Sequence, residues 1–334
     1  MQHQHCFYTS FNKAYAGQAL MLAESIRRQY GDTVAIVALL IDRLEEDEKK
    51  AFAIFDKLLF SEELDIPNFD QWLFGLNIVE AATAVKPYGL CYLLKHYPHV
   101  TYLDPDTVIY TKLDEIVESK DSWNIALTPH QISPQKEEWV IASTEMESLK
   151  FGVYNLGFLS VRATTEGIRV AEWWRDRCYK YCIDAVERGL FTDQKLFDMA
   201  PAIFNGVYIL RHPGYNIATW NIREREVVFN QDEGPLSNGQ PLRFCHFTKA
   251  THIGAAALDK MLGSASLFEE LFYSYVSQLQ EKNGSLASLD KRWAFGFYES
   301  GEPISNDLRK KFRAAHFDNP SNFNPFSSPS LFIE

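Results

Sequence analysis

The chain has 334 residues, of which 46% are hydrophobic and 23% charged, and its formal net charge is −11 at pH 7. This composition is that of a globular protein and excludes a disordered chain, a collagen and a coiled coil. The negative charge argues against non-specific binding to nucleic acid, so an anionic partner has to be bound locally, by a few placed groups or through a metal ion.

The first sixty residues alternate between extended and helical patterns. The unbroken apolar run Val34–Ile41 is typical of a strand buried on both faces. The predicted order is a strand at 6–9, a helix from Ala19 to Tyr30 that stops at Gly31, a strand at 34–41, a charged helix at 45–55 and a strand at 57–60. Such alternation predicts a parallel sheet with crossover helices.

Helical and extended patterns continue to the C-terminus. Residues 77–97 are helical, and Pro87 either kinks this helix or begins a second one. Further strands are predicted at 100–103, 107–110, 123–127, 153–161, 207–210 and 242–247, and a short helix at 193–199. The helix from Thr165 is predicted to bury one face, formed by Ile168, Ala171, Trp174, Cys178 and Tyr181. Residues 255–317 are mainly helical, and 318–330 form a tail rich in Pro, Asn and Ser.

The cysteines and the N-terminal sequence bear on the cellular compartment of the protein. The five cysteines are scattered and form no CxxC pair, which predicts reduced, buried thiols in the cytoplasm. The first ten residues lack the charged and apolar regions of a signal peptide. The longest apolar run, Val34–Ile41, is too short to span a bilayer. We therefore expect a soluble cytoplasmic protein.

The strongest chemical signal is the Asp-Pro-Asp sequence that follows the predicted strand at 100–103. Open α/β sheets bind ligands at the end where such a strand stops, and side chains two residues apart in extended backbone point the same way. Asp104 and Asp106 can therefore face one cation, and oxygen ligands suit Mg²⁺ or Mn²⁺. The alternative is a solvated turn, for which Asp-Pro-Asp is common.

Further motifs surround this strand in a fixed order. They are Tyr8-Thr9, AVKPY at 84–88, VYNLGF at 153–158, TDQ at 192–194, PGYN at 213–216 and CHF at 245–247. The series resembles bacterial glycosyltransferases of the GT-A fold, of the surface-polysaccharide type, and more distantly the family 8 retaining enzymes and glycogenin. The resemblance covers roughly residues 6–250 and no single motif decides it.

The resemblance implies an α/β fold of the GT-A type, which is a mixed, mostly parallel sheet with helices on both faces, followed by a helical C-terminal extension. Residues 1–254 would form the catalytic domain, with a donor-binding half at about 1–110 and an acceptor half at about 111–254. Residues 255–334 would form the extension and tail.

The resemblance also implies a metal and donor site. Asp104 and Asp106, with His246 as third ligand, would hold Mn²⁺ or Mg²⁺ against the diphosphate of a nucleotide-sugar, with a UDP-sugar expected. The residues expected to contact this donor are Tyr8, Thr9, Lys86, Asp104, Asp106, Gly157 and Lys249. The family 8 motif His-x-x-Gly-x-x-Lys-Pro-Trp is replaced here by HFTKATH, so a core histidine remains an alternative for His246.

Asp193, Gln194 and Asn155 are the residues that the resemblance places at the reaction centre. A buried Asn155 requires hydrogen-bond partners, which favours a contact with the donor sugar or the acceptor. Asp193 and Gln194 match an Asp-Gln pair that faces the donor sugar in the retaining family. The alternative is that Asp193 caps the predicted helix at 193–199.

The function that follows is metal-dependent transfer of a sugar from a nucleotide-sugar to a glycan, lipid-linked or protein acceptor, with retention implied by analogy. A sugar nucleotidyltransferase and a catalytically silent carbohydrate-binding relative are the alternatives. The basic segment Arg309–Arg313 is interpreted as a solvated helix face, and peripheral contact with the inner face of the membrane is its other interpretation. Neither the acceptor nor the oligomeric state follows from the sequence.

Overall fold

The computed structural model describes residues 3–119, 123–250, 254–261, 266–316 and 323–327. Its strands, in chain order, are β1 (His5–Phe11), β2 (Ala35–Leu40), β3 (Lys57–Phe60), β4 (His99–Leu103), β5 (Thr107–Ile109), β6 (Ile125–Pro129), β7 (Tyr154–Arg162), β8 (Asp184–Ala185), β9 (Leu190–Phe191), β10 (Val207–Ile209), β11 (Val227–Asn230), β12 (Gly234–Ser237), β13 (Gln240–Pro241) and β14 (Phe244–His246).

The helices pack around these strands and continue beyond them. They are α1 (Ala16–Tyr30), α2 (Phe69–Phe74), α3 (Ile78–Ala84), α4 (Lys86–Leu93), α5 (Asp114–Val117), α6 (Glu138–Phe151), α7 (Thr165–Tyr181), α8 (Ala200–Ile203), α9 (Gly254–Met261), α10 (Leu267–Ser285) and α11 (Asn306–His316). Short 3₁₀ turns lie at Lys13–Tyr15, Glu48–Phe52, Ser61–Glu63, Val186–Arg188, Lys195–Met199, Ile222–Glu224 and Ala294–Gly296. In the described residues, no helix is both long and apolar enough to cross a membrane.

The central sheet has the strand order β10-β6-β7-β4-β1-β2-β3. Neighbouring strands run parallel except at β7, which is antiparallel to both β4 and β6. The carboxyl ends of β1, β2, β4 and β6 therefore meet at the same edge of the sheet as the amino end of β7. That edge brings together the segments that follow β4 and β6 and the first residues of β7.

Both faces of the sheet are covered by helices because successive side chains of each central strand point to opposite sides. Tyr8 and Val37 pack on one face with residues of α4 and α7, while Phe7 and Ile36 pack on the other with residues of α1. The predicted fold class is thus confirmed: an α/β fold with a mixed, mostly parallel sheet, helices on both faces and C-terminal helices. Pro87 lies in the first turn of α4, which begins a second helix rather than kinking the first.

Two segments that were predicted to be helices form only short 3₁₀ turns. The segment at 45–55 forms only a 3₁₀ turn at Glu48–Phe52, and the segment at 193–199 forms another at Lys195–Met199. In the first, the buried side chains are Phe52 and Phe55. Their spacing of three residues matches the three residues per turn of a 3₁₀ helix, and these few apolar contacts do not support a longer α-helix.

The predicted buried face of α7 is partly wrong. Ala171, Trp174 and Cys178 are buried as expected, but Ile168 is 41% exposed and Tyr181 is 40% exposed. At 3.6 residues per turn, Ile168 lies roughly 120° around the helix from Trp174. Tyr181 is the last residue of the helix. The strand boundaries are shifted by one or two residues, as in β6 and β7.

The C-terminal segment shares the core of the sheet. Trp293, Phe295, Phe312 and Phe326 belong to the cluster of buried side chains that contains Tyr8. The predicted boundary at residue 254 stays a prediction. Residues 318–322 and 328–330 of the predicted tail lie outside the described residues.

The interpretation of Arg309–Arg313 as a solvated face is wrong for Arg309. This guanidinium is buried and donates hydrogen bonds to the carbonyls of Phe74, Leu76 and Phe295. Arg313 donates to Glu80, and only Lys310 and Lys311 are exposed. The predicted state of the cysteines is confirmed, because all five are free thiols and four of them are buried.

Candidate active site

Two strand pairings bring Asp104, Asp106 and His246 together. The acids lie in the turn between β4 and β5, and β14 pairs antiparallel with β5 so that His246 lies opposite Thr107. The Nε2 atom of His246 is 3.1 Å from Asp106 Oδ1 and 3.8 Å from Asp104 Oδ2. The ligand atoms of all three residues lie within 4.8 Å of one another.

The orientation of the His246 ring suits a metal ligand. Its Nδ1 atom is 3.2 Å from the Asn216 amide oxygen, while Asn216 Nδ2 donates to Thr128 and Asn155. The amide oxygen is therefore an acceptor, so Nδ1 carries a proton and the ring directs Nε2 at the carboxylates, where a bound cation would take the place of the Nε2 proton. Two carboxylates and one imidazole form a donor set suited to Mn²⁺, and carboxylates alone also suit Mg²⁺. The residues present thus fit a divalent cation.

Lys86 connects the metal cluster to Asp193. It is the first residue of α4, only 4% exposed, and its Nζ atom is 3.1 Å from Asp104 Oδ1 and 3.3 Å from Asp193 Oδ2. Burial acts to lower the pKa of Lys86, but the two carboxylates outweigh it and hold that pKa well above its usual value. The lysine therefore stays charged.

The carboxyl group of Asp104 is held in one orientation by its neighbours. The Tyr102 hydroxyl donates a 2.6 Å hydrogen bond to Oδ1, the oxygen that also faces Lys86. Burial acts to raise the pKa of Asp104, but the charge of Lys86, followed by His246, outweighs it and lowers that pKa. Oδ2, which faces His246, is left for a cation.

Asp193 is buried beside Lys86 on a strained piece of backbone. It is 2% exposed, and burial raises the pKa of its carboxyl group although Lys86 opposes the shift. Thr192, the residue before it, has a φ of 44°, which is rare for a β-branched residue and costs on the order of 1–3 kcal/mol. Gln194 rather than Asp193 is at the N-cap of the 3₁₀ turn, and it forms no side-chain cap hydrogen bond. The helix-cap interpretation of Asp193 is therefore wrong.

Asn155 and Gln194 form one hydrogen-bonded network. Asn155 Oδ1 accepts from Gly157 N at 3.0 Å and from Asn216 Nδ2 at 3.0 Å, and its Nδ2 lies 3.2 Å from His130 Nε2. Gln194 Oε1 accepts from Leu156 N at 3.2 Å. The expectation that a buried Asn155 has partners is confirmed, but these partners belong to the protein itself.

A cavity of about 510 Å³ opens beside the metal cluster. Of the site residues expected from the sequence, it is lined by Lys86, Asp104, Asn155, Gly157, Asp193, Gln194, His246 and Lys249. Asp106 lies against His246. Tyr8 and Thr9 do not line this cavity; both are buried, and the Tyr8 hydroxyl donates to the carbonyl of Lys86. These positions show which predicted residues lie together, and the role of each residue stays a prediction.

The cavity is also lined by His130, Glu147 and Ser148, which were not predicted from the sequence as site residues. His130 follows β6 at the same edge of the sheet, and Trp220 contacts the rings of both His130 and His246. A polar residue directly after the carboxyl end of β6 was the available signal for His130. Glu147 and Ser148 come from α6, whose sequence carries no comparable signal.

Gly157 is the point at which β7 approaches the metal cluster most closely. A Cβ atom there would be 2.5 Å from His246 Cε1 and 2.7 Å from Asn155 Oδ1. We expect Gly157→Ala to displace the His246 ring and to lower the affinity for Mn²⁺ by at least about tenfold, as for other changes that reorient a metal ligand. Calorimetric titration with Mn²⁺ measures this. Gly284→Ala, whose Cβ would meet nothing within 4 Å, is the control; equal affinities for the two variants would contradict the expectation.

No family model matches this chain. It is 31% identical over 177 residues to the uncharacterized protein YfnF of Bacillus subtilis (strain 168), an alignment that covers 51% of this chain and 56% of YfnF. It is 26% identical over 194 residues to the uncharacterized protein YfnD of the same strain, covering 57% of this chain and 60% of YfnD. The chain therefore spans little more than half the length of these relatives.

The chain is also similar to solved glycosyltransferase structures. Galactosyltransferase LgtC, in complex with donor and acceptor sugar analogs, matches at 16% identity and a TM-score of 0.45, over 78% of this chain and 97% of LgtC. Mouse xyloside xylosyltransferase 1 matches at 14% identity and a TM-score of 0.45, over 75% of this chain and 99% of that protein. The bifunctional glycosyltransferase WbbM matches at 13% identity and a TM-score of 0.43, over 83% of this chain and 50% of WbbM.

Proposed function

We propose that this chain is a metal-dependent glycosyltransferase that moves a sugar from a nucleotide-sugar, with a UDP-sugar expected, to a glycan, lipid-linked or protein acceptor. The observation that carries the proposal is the convergence of Asp104, Asp106 and His246 beside a cavity, with Lys86 joining the cluster to Asp193. The chemistry suits a diphosphate, which a protein of charge −11 would otherwise repel.

The proposed mechanism divides the work among these side chains. Asp104, Asp106 and His246 would hold Mn²⁺ or Mg²⁺, which supplies positive charge to stabilise the departing nucleoside diphosphate. Lys86 adds a fixed positive charge and holds Asp104 and Asp193 in place. Asp193 provides a fixed negative charge near the sugar carbon, where positive charge develops. Asn155 and Gln194 line the same cavity; Asn155 orients Asn216 and Gln194, and the second N–H of Gln194 Nε2 is offered to a sugar hydroxyl. Retention of the anomeric configuration is part of the proposal.

The setting that we propose is the synthesis of bacterial surface polysaccharide in the cytoplasm. Free, buried cysteines fit a reducing compartment. Lys310 and Lys311 are exposed lysines of α11, and they are the part of this helix that peripheral contact with an anionic membrane would use.

Calorimetry tests the proposal directly. The protein is titrated with each of UDP, GDP, ADP, CDP and dTDP, in Mn²⁺ and in EDTA. We expect at least one nucleoside diphosphate to bind in Mn²⁺ and to lose at least tenfold in affinity in EDTA. Equal affinity in both buffers, or no binding at all, would overturn the metal-dependent mechanism. Hydrolysis of the matching nucleotide-sugar without acceptor separates an enzyme from a silent sugar-binding relative.

The role of His246 is tested by the metal requirement. His246→Ala removes one of three protein ligands, so we expect the Mn²⁺ concentration for half-maximal activity to rise by roughly 10–100-fold, with activity recovering at high Mn²⁺. The matched control is His130→Gln, which changes the other histidine that lines the cavity and leaves the three ligands intact. An unchanged Mn²⁺ requirement in His246→Ala would show that His246 is a core residue.

A further inference from the structure

Glu80 has a buried carboxylate whose contacts exceed those of a helix cap. Asn77 and Glu80 form a capping box at the start of α3, in which Glu80 Oε2 accepts a 3.0 Å hydrogen bond from the Asn77 N–H. That box involves one carboxylate oxygen only. Glu80 is nevertheless just 2% exposed, and both of its oxygens have partners outside α3. Since a buried carboxylate is unfavourable unless its oxygens are hydrogen-bonded, those partners make the burial of Glu80 possible.

The partners of Glu80 come from two segments that are far apart in the chain. Oε1 accepts a 3.2 Å hydrogen bond from the backbone N–H of Asp184, the first residue of β8. Oε2 also accepts a 3.0 Å hydrogen bond from Nη1 of Arg313 in α11, which makes this contact an ion pair. A single side chain therefore joins the C-terminal helix α11 to the segment that follows α7.

The segment held by Glu80 is the β8–β9 hairpin, which leads directly to Asp193. Asp184 of β8 lies opposite Phe191 of β9, and the Thr192 N–H donates a 3.0 Å hydrogen bond to the carbonyl of the residue before Asp184. Thr192 has a left-handed φ of 44°, a conformation that persists only where the surrounding structure holds it. The hydrogen bond from Asp184 to Glu80 thus fixes the strand against which this strained residue is held.

We propose that Glu80 is a positioning residue for Asp193. It holds the β8–β9 hairpin so that the Asp193 carboxylate meets Lys86 in the cavity, and Arg313 holds Glu80 in turn. Glu80 does not line the cavity itself. This inference rests on the proposed function, since it needs Asp193 to act on the reacting sugar. It connects the C-terminal helix α11, which lies outside the 6–250 segment that carries the sequence motifs, to the reaction centre.

Glu80→Gln is expected to break this arrangement at one bond. Two donors, one of them charged, face the Oε2 position, so the amide oxygen of the glutamine takes that position. The amide NH₂ group then faces the Asp184 N–H, and two donors cannot form a hydrogen bond. The cap of α3 and the contact with α11 are kept, while the link to the hairpin is lost.

We expect Glu80→Gln to lower kcat by about 10–100-fold, because a displacement of about 1 Å at a reacting group is sufficient for such a loss. The affinity and stoichiometry of nucleoside diphosphate binding in Mn²⁺ are expected to stay unchanged, because the metal cluster is carried by the β4–β5 turn and β14 rather than by the hairpin. Steady-state kinetics and calorimetry measure both quantities. The unchanged stoichiometry also shows that the sample is fully folded, which separates a positioning role from a loss of stability.

A double variant tests whether Glu80 acts through Asp193. In an Asp193→Asn background, Glu80→Gln is expected to lower kcat no further, because two substitutions that act through one carboxylate are not additive. Glu166→Gln is the matched control. Glu166 is also in the first turn of a helix, accepts a 2.8 Å hydrogen bond from the Asn205 N–H and pairs with Arg169, but it lies at the start of α7 whereas the hairpin follows the end. We expect this control to keep the parental kcat.

Arg313→Met is the second variant, and it decides the question if Glu80→Gln does not fold. It removes the charge that faces Glu80 and keeps an aliphatic side chain on α11, and we expect the same fall in kcat with unchanged binding of the nucleoside diphosphate. A parental kcat in a folded sample of either variant overturns the inference.

The outcomes separate this inference from the proposed function. If the parent protein turns over a nucleotide-sugar and the losses from Glu80→Gln and Asp193→Asn multiply in the double variant, the inference is overturned and the proposed function stands. The same conclusion follows if Glu80→Gln weakens diphosphate binding as much as it lowers kcat. If the parent protein neither binds a nucleoside diphosphate nor turns over a nucleotide-sugar, both are overturned.

Discussion

Asp104→Asn and Asp106→Asn are each expected to lower kcat/KM for sugar transfer by about 10³-fold or more, since several kcal/mol of transition-state stabilisation is lost with the metal ion. Asparagine keeps the shape of each side chain and removes its charge. Asp106 is buried and its carboxylate pairs with the buried His246, so its replacement should lower the melting temperature. Asp104 also pairs with Lys86 and accepts from Tyr102, so its replacement should lower the melting temperature as well.

Kinetics with a nucleotide-sugar and calorimetry with the nucleoside diphosphate check both variants. Asp232→Asn is the control, because Asp232 is an exposed acid beyond β11 and outside the cavity. A variant of Asp106 that binds the diphosphate as tightly as the parent protein, and still depends on Mn²⁺, would remove this residue from the metal site. Loss of activity in Asp104→Asn counts only with a folded sample, which near-ultraviolet circular dichroism establishes.

The parts of the fold that could be predicted are those whose signal is local. The apolar run at 34–41 became β2, and Gly31 ends α1 as expected. The position of Asp104 at a strand end followed from the five residues before it, because a buried strand must stop where charged residues begin. Pro87 marked a break in the helical pattern because a proline lacks the N–H that the helix interior needs, but the choice between a kink and a second helix came only from the structure.

The parts that residue patterns alone could not predict depend on pairings between distant segments, and for His246 only the family resemblance implied the contact with the two acids. His246 meets Asp106 only because β14 pairs with β5 across about 140 residues, and nothing near His246 in the sequence signals that pairing. The sequence around Arg309 is typical of an exposed basic helix face. The residue is buried because its guanidinium donates to three backbone carbonyls, two of which lie more than 200 residues earlier in the chain. Long-range contacts therefore decide most of the candidate site.

Asp193 offers the sharpest separation between catalysis and structure. Burial raises the pKa of the Asp193 carboxyl group above its value in the unfolded chain. Keeping this group charged in the folded protein therefore lowers the free energy of unfolding. At a pH above that unfolded value, the folded protein is therefore less stable than it would be with a neutral side chain. Asparagine removes this cost, and Lys86 keeps Asp104 as its partner. We thus expect Asp193→Asn to melt no lower than the parent protein at neutral pH.

The same substitution is expected to lower kcat by about 10²-fold or more with little change in donor affinity, because a fixed anion near the sugar carbon stabilises the transition state more than the ground state. Asp198→Asn is the matched control: it lies five residues further along, pairs with Lys195 and faces Val153 N rather than Lys86. Steady-state kinetics and thermal unfolding of both variants decide the question. A fully active Asp193→Asn enzyme would remove Asp193 from the mechanism and with it the main support for retention. If Asp193→Asn has a lower kcat and is at least as stable as the parent protein, the charge of Asp193 destabilises the fold but is required for catalysis.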